Sequence, residues 1–206
     1  MQEIKETTAY KRSLKGRILE TAMKAFAERG VKAVRMDDVA QMLGISKRTL
    51  YEIYKDKEEL LYQGVVNFDQ EAKKSMSEFI QGATSVMDII LEAYQRRVVR
   101  TGTVNPLFYD DIQKYPKVVE YLNNERERAY KGFIELLQRG VREGFFREDV
   151  DYELVAKMFT AINQFVMSQH LLAQYSKQQL FHNMLLVPLR GFCTQKGLKV
   201  IETKIP

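Results

Sequence analysis

The 206-residue chain contains no tryptophan, a single cysteine, two histidines and four prolines. One cysteine, Cys193, cannot form a disulfide within the chain, so a small disulfide-stapled fold is excluded and a reducing compartment is expected. The two histidines, His170 and His182, lack the neighbouring cysteine or carboxylate spacing of a metal centre, and no metal site is expected. No G-x-S-x-G elbow and no phosphate-cradling glycine loop appears, which removes the commonest hydrolase and nucleotide-binding signatures. On these grounds no enzymatic activity and no cofactor are expected. No apolar run reaches the roughly 18 residues that a membrane span requires. The opening segment MQEIKETTAYKR is polar and mixed in charge, unlike a secretory signal, so a cytoplasmic location is expected. Convincing β alternation, internal repeats and low-complexity segments are also lacking.

What is present is helical patterning with an ordinary soluble balance, 45% hydrophobic and 29% charged residues. Net charge is +5. It is spread thinly: residues 1–60 hold 13 Lys and Arg against 10 Asp and Glu, and the remainder holds 19 against 17. Any affinity for a polyanion must therefore come from placed residues rather than bulk charge. Lys11, Arg12, Lys15 and Arg17 form the densest basic cluster, readable either as a solvated tail or as an arm touching a nucleic-acid backbone.

The most informative stretch is DDVAQMLGISKRTLYEIYK, residues 37–55. Val39, Ala40 and Leu43 share one helical face, and Leu50, Ile53 and Tyr54 share another. Between them Gly44 can take the left-handed conformation that ends a helix, Ile45 can plug the angle, and Ser46 can cap the next helix. This is a helix-turn-helix layout, whose second helix enters a DNA major groove. With Leu50, Ile53 and Tyr54 inward, Arg48, Glu52 and Lys55 point outward, flanked by Thr49 and Tyr51. Arg48 can fork onto a guanine edge, Thr49 can bond a phosphate or touch a thymine methyl, and Tyr51 can reach the backbone. Lys47 starts the helix, where free N–H groups favour a phosphate. Glu52 fits less well, since a carboxylate repels phosphate unless it accepts from a cytosine amino group. An ordinary helical hairpin with a solvated charged face would show the same spacing.

The segment from Arg17 to Leu61 resembles the DNA-binding domain of the TetR (tetracycline-repressor-type) family. Ile18, Leu19, Ala22 and Phe26 match its first helix and Gly30 the glycine closing it. Val39, Ala40, Gly44, Ser46, Leu50, Tyr51 and the run Lys57 to Leu60 match the remainder. Met36 departs from the usual Ser or Thr cap, Ile53 from a His or Tyr that often touches phosphate, and Tyr54 from a common Phe. The resemblance implies an all-α protein: a helix-turn-helix domain (1–56) joined by a long helix to a helical ligand-binding and dimerisation domain (57–206). It further implies a homodimeric transcriptional regulator, a repressor of a palindromic double-stranded DNA operator released by a small-molecule effector. Ser46, Lys47, Arg48, Thr49, Tyr51, Lys55 and Lys57 are the expected DNA-contacting residues. An all-α binding protein or enzyme keeping the helix-turn-helix only as scaffold is the alternative.

The rest of the chain divides at its breakers. The first helix is expected from about Ser13, with Leu14, Ile18, Ala22, Ala25 and Phe26 as its buried stripe. Asp56 to Glu59 reads as a capping box opening a long helix with Leu60, Leu61, Val65, Phe68 and Ala72 on one face. Gly82 and Ser85 mark the next boundary, and a helix follows to about Arg100. Asn105 and Pro106 suit the cap and first position of a short helix, NPLFYDDIQ. The helix after Pro116 should stop at Gly144. From Asp151 a single helix is expected as far as Gln174. A capping box at Ser176 to Gln179 opens the last, which Pro188 should kink or interrupt. These two final helices are apolar on several faces, and the resemblance implies that residues of about 151–196 form the dimer interface. Tyr94, Phe108, Tyr109, Tyr121, Phe133, Phe159, Phe165 and Met167 are candidate effector contacts, though an aromatic at helical spacing is more often core. The effector is expected to enter near Phe108, Tyr109 and Phe133.

Overall fold

The computed structural model describes residues 2–101 and 104–204. Among them the regular structure is helical: α1 Gln2–Arg29, α2 Met36–Leu43, α3 Lys47–Ile53, α4 Lys57–Gly82, α5 Val86–Thr101, α6 Pro106–Ile112 and α7 Pro116–Arg142. The chain continues through α8 Tyr152–Ser168, α9 Leu171–Gln174, α10 Lys177–Phe181, a π-helical turn His182–Leu186, α11 Val187–Phe192 and α12 Gln195–Lys204. No strand occurs among the described residues; a single antiparallel bridge joins Phe146 to Cys193.

The chain forms two compact units, one from Met1–Lys73 and Val104–Asn123, the other from Lys74–Thr103 and Asn124–Pro206. The division passes through α4 and α7, so each of these helices contributes to both units.

The core of the first unit is built on α1. Leu14, Ile18, Ala22, Ala25 and Phe26 are all buried, packed with Val39, Ala40, Leu50, Tyr54, Leu60 and Leu61. Ile112 of α6 and Val118 of α7 join the same cluster. Asn105 binds α6 to the end of α1: its backbone N–H donates to Ala27 O at 2.8 Å and its side-chain amide to Glu28 O at 3.0 Å. Two carbonyls in the last turn of a helix are satisfied in this way. Its side-chain oxygen meanwhile accepts from Leu107 N at 3.0 Å and caps α6, with Pro106 in the first turn.

The second unit encloses Met87, Leu137, Leu186, Leu189 and Ile201 around an aromatic cluster. Phe192 stands edge-on to Phe146 at 5.1 Å and to Tyr152 at 5.8 Å between centroids, the arrangement that ring quadrupoles favour.

Several boundaries follow the sequence closely. Gly44 closes α2 at φ 65 and Gly144 follows α7 at φ +73. Ser85 Oγ accepts from Asp88 N while Ser85 N donates to the Asp88 carboxylate. Ser176 and Gln179 exchange the same reciprocal pair of bonds.

Others differ, for physical reasons. Helix α1 begins at Gln2 rather than near Ser13, because nothing between them breaks a helix and Glu, Lys, Ala and Arg all favour one. The helix expected from Asp151 to Gln174 ends at Ser168. His170 there adopts φ 50, a left-handed conformation that histidine tolerates better than most residues. Ahead of Pro188 the α geometry is interrupted, as expected, but the chain stays helical between α10 and α11. The turn there widens to π geometry over His182–Leu186, which absorbs the donor that proline lacks. Helix α12 was not expected. Its Gly197 is a packing requirement: a Cβ at this position would lie 2.4 Å from Phe145 O.

Candidate nucleic-acid interface

The helix-turn-helix is built from short-range bonds. Arg35 precedes α2 in extended conformation, and its N–H donates to Asp38 Oδ2 at 2.8 Å. The carboxylate thus reaches back to the cap residue, which is Arg35 and not Met36 as the sequence suggests; Met36 is the first helical residue and is buried. Gly44 N donates to Gln41 O and Ile45 N to Ala40 O, closing α2 in the left-handed manner that positions the turn. Ser46 Oγ accepts from Thr49 N at 3.0 Å and lies 2.8 Å from Thr49 Oγ1, so both hydroxyls are engaged at the start of α3.

Inward, Leu50 is fully buried and Tyr54 almost so, its hydroxyl donating to Lys15 O at 3.2 Å. Burial, with the Glu59 charge as a second cause, pushes the Tyr54 phenol up to about 12. It therefore stays protonated as a donor.

Outward, the Arg48 side chain is 89% exposed and that of Glu52 55%. Tyr51 and Lys55 are exposed beside them. Two ion pairs cross this surface. Arg48 Nε donates to Glu52 Oε1 at 2.9 Å one turn along α3. Lys47 reaches back to Asp37 of α2, tying the two helices together.

Lys57 is placed differently from the other expected contacts. It is half-buried at the start of α4, its ammonium 5.9 Å from the centroid of the Phe26 ring. Burial lowers its pKa from the ordinary lysine value, and Asp111 and Asp38 oppose that shift. The α4 cap is half realised: Asp56 Oδ1 accepts from Glu59 N at 2.8 Å, but the Glu59 carboxylate turns to Gln63 and Lys117. Of the basic cluster, Lys15 and Arg17 are exposed, and the Lys11 and Arg12 side chains lie outside the described residues.

The sequence-derived effector contacts are not brought together as one group. Phe108, Tyr109 and Tyr121 belong to the first unit and pack on its core. Phe108 and Tyr109 meet edge-on at 5.6 Å, and Tyr121 donates to Asp69 at 2.6 Å. Phe133 and Phe159 belong to the second unit and meet edge-on at 5.8 Å. Phe165 is 53% exposed and Met167 half-buried on α8, and the Tyr94 side chain lies outside the described residues. An open groove between α1 and α2, lined by Arg17, Glu20, Lys24, Glu28, Arg29 and Met42 among others, contains none of these residues.

Sequence reasoning missed Asp111. It is a buried carboxylate on α6 that accepts from Lys32 N at 2.7 Å and from Lys114 Nζ at 3.0 Å. An acidic pair in a short helix looks like a solvated end, and nothing local to Asp110 and Asp111 indicates that one of them turns inward.

Comparison with known proteins agrees with this geometry. Residues 18–63 match the family described as bacterial regulatory proteins, tetR family. The chain is 26% identical over 159 residues to the HTH-type transcriptional repressor KstR2 of Mycobacterium tuberculosis, covering 69% of this chain and 74% of that one. It is 24% identical over 165 residues to the HTH-type transcriptional regulator TtgR of Pseudomonas putida, covering 74% and 78%. Its fold is similar to that of a TetR-family transcriptional regulator from Agrobacterium tumefaciens, with TM-score 0.73 and 17% identity over 89% of this chain and all of that one. The exposed reading helix on a helix-turn-helix thus makes this chain a DNA-binding transcriptional regulator. Its residues 18–63 are thus a TetR-family DNA-binding domain, and members of that family bind DNA operators and small-molecule effectors, act as dimers and catalyse no reaction. No helix among the described residues is long and apolar enough to cross a membrane.

Proposed function

We propose that this regulator is a homodimeric repressor that reads a palindromic operator through α3 and is released from it by an apolar or amphipathic small molecule. The supporting observation is the outward face of α3, where the 89% exposed Arg48 stands beside Tyr51, Lys55 and the Ser46–Thr49 hydroxyl pair. Arg48 reads a guanine, while Ser46, Lys47, Thr49, Tyr51, Lys55 and Lys57 hold phosphates and fix the register. A solvated scaffold face would have no need to gather a fork-shaped donor with phenol and hydroxyl groups.

The protein acts on DNA in the cytoplasm. The helix-turn-helix domain is residues 1–56, packed in one unit with residues 57–73 and 104–123, and the effector and dimer domain lies within 57–206, with Phe133 and Phe159 among the effector-facing aromatics. An apolar effector is in keeping with the description of KstR2 of M. tuberculosis as a ketosteroid transcriptional regulator. The second copy packs on residues of about 151–196, so that two reading helices address successive major grooves about 34 to 36 Å apart.

Selection from a library of random duplexes tests this reading. Enrichment of a palindrome with half-sites about one helical turn apart is the expected result. Enrichment of no sequence would overturn it.

A further inference from the structure

Glu52 is an anomaly on a face built for a polyanion. Its carboxylate lies where α3 presents Arg48, and alone it would repel phosphate. The structure shows what it contacts: Oε1 accepts from Arg48 Nε at 2.9 Å. A guanidinium has five N–H donors in a rigid planar fork. The contact to Nε engages the flank of that fork. Both terminal nitrogens lie outside this bond, and together they can make a two-pronged bond to guanine O6 and N7. With the side chain 89% exposed, little else near Arg48 restrains its rotamers.

Resting on the DNA-reading proposal above, we infer that Glu52 is a positioning residue for specificity: it holds the Arg48 guanidinium by its Nε edge and aims the terminal nitrogens at a single guanine. Glu52 makes no base contact itself in this arrangement. Its charge also penalises placements in which a phosphate, rather than a base edge, approaches Arg48. Affinity for arbitrary duplexes is thereby held down while discrimination at one base pair is raised.

The experiment uses the full-length protein and the palindrome that the wild type selects from random duplexes. Binding is measured for that palindrome, for a set with each base pair substituted in turn, and for an unrelated duplex. The proteins compared are wild type, Arg48→Ala, Glu52→Ala, Glu52→Gln and the double variant Arg48→Ala/Glu52→Ala. Thermal melts confirm that each is folded.

Glu52→Ala is expected to lose about two- to fivefold of the discrimination at the one base pair that Arg48→Ala also relaxes, the range of an exposed ion pair. In the Arg48→Ala background it should cause no further loss there. Glu52→Gln keeps an oxygen that accepts from Nε and should retain discrimination. Both Glu52 variants should bind the unrelated duplex more tightly. Unchanged discrimination in Glu52→Ala would overturn the inference. So would a loss at a different base pair from that of Arg48, which would make Glu52 a direct reader of a cytosine amino group. A wild type that selects no duplex at all would instead remove the underlying DNA-reading proposal, and this inference with it.

Discussion

Asp111 accepts the backbone N–H of Lys32 at 2.7 Å, joining α6 to the turn between α1 and α2 across 79 residues of chain. Lys114 Nζ holds the same carboxylate at 3.0 Å from within the α6–α7 turn. Gly30, at φ +84, lies under this contact: a Cβ there would be 3.0 Å from Leu107 Cβ. The short helix expected from Asn105 and Pro106 is therefore an integral part of the unit that carries the reading head.

Asp111→Ala removes the carboxylate that accepts the Lys32 amide and leaves that donor part-buried without its bond. A loss of about 1–3 kcal/mol is expected, the cost of an unsatisfied buried group. For a chain of this size that lowers the melting temperature by several degrees, about 2–4 °C per kcal/mol. A melt indistinguishable from wild type would show that α6 is not held by this bond.

The same contact sets an acid limit on stability. Burial pushes the Asp111 carboxyl up, but the Lys32 amide and Lys114 ammonium outweigh it and hold the group below its ordinary value. Glu143 behaves alike: burial is outweighed by the Val86 N–H and by Arg139. Carboxyls depressed in the folded state contribute stability that is present above their unfolded values, about 3.9 for Asp and 4.3 for Glu. That stability is lost as pH falls through the lower folded values. Melting temperature should therefore drop below about pH 4, and Asp111→Asn with Glu143→Gln should flatten the drop. Parallel acid limbs for wild type and double variant would refute this account.

Reading and holding should separate by mutation. Arg48→Ala is expected to lose about 1–3 kcal/mol at the operator and to relax one base position per half-site. Lys57→Ala should weaken all duplexes by a similar factor and reduce the salt slope. Because its ammonium also lies over the Phe26 ring, Lys57→Ala should lower the melting temperature, which Arg48→Ala should not. Gel shifts across a salt series, paired with melts, check both variants. Base-specific loss in Lys57→Ala would invert the assignment.

The helix-turn-helix was legible because its determinants are local. Gly44, Ser46 and the inward Leu50 and Tyr54 all lie within a dozen residues, and each constrains its neighbour through periodicity or capping. Asn105–Pro106 and Ser176–Gln179 were legible for the same reason. Asp111, the burial of Lys57 and the need for Gly197 were not, since each depends on a partner far away in the chain. The Arg48–Glu52 pair is an instructive intermediate case: the one-turn spacing was visible, but the bond between the two side chains depends on rotamers that the sequence leaves open.

Gly197→Ala tests the least expected helix. Its Cβ would lie 2.4 Å from Phe145 O and 3.1 Å from Cys193 Cβ, against backbone that is already bonded to Thr194 N at 2.9 Å. A backbone oxygen cannot move aside as a flexible side chain can, so overpacking of about 1–3 kcal/mol is expected. Loss of protection from hydrogen exchange across α12 should accompany it. Wild-type stability would mean that α12 is not seated against Phe145.

The proposed dimer surface is open to solvent in the single chain. On α8, Leu154 is 61% exposed, Met158 39% and Phe165 53%. At about 100° per residue these three and the exposed Ala161 fall within a narrow stripe along one side of the helix. The opposite side supplies Tyr152, Ala156 and Phe159 to the core of the same unit. On α11, Val187 is 52% exposed. A stripe of this kind has the spacing by which one helix packs along another, and it lies within the segment of about 151–196 proposed for the interface. Leu185, by contrast, is 4% exposed, so an acidic residue there would disrupt the core before it tested any interface. The informative variant is Leu154→Asp with Phe165→Asp, two positions where the folded monomer already meets solvent. Repulsion and lost apolar burial should convert a dimer to a monomer at micromolar concentration, with the helical signal kept. Operator affinity should fall steeply, because each reading helix then binds alone without the shared orientation of its partner. Sedimentation of the double variant as an intact dimer would mean that the two copies meet elsewhere.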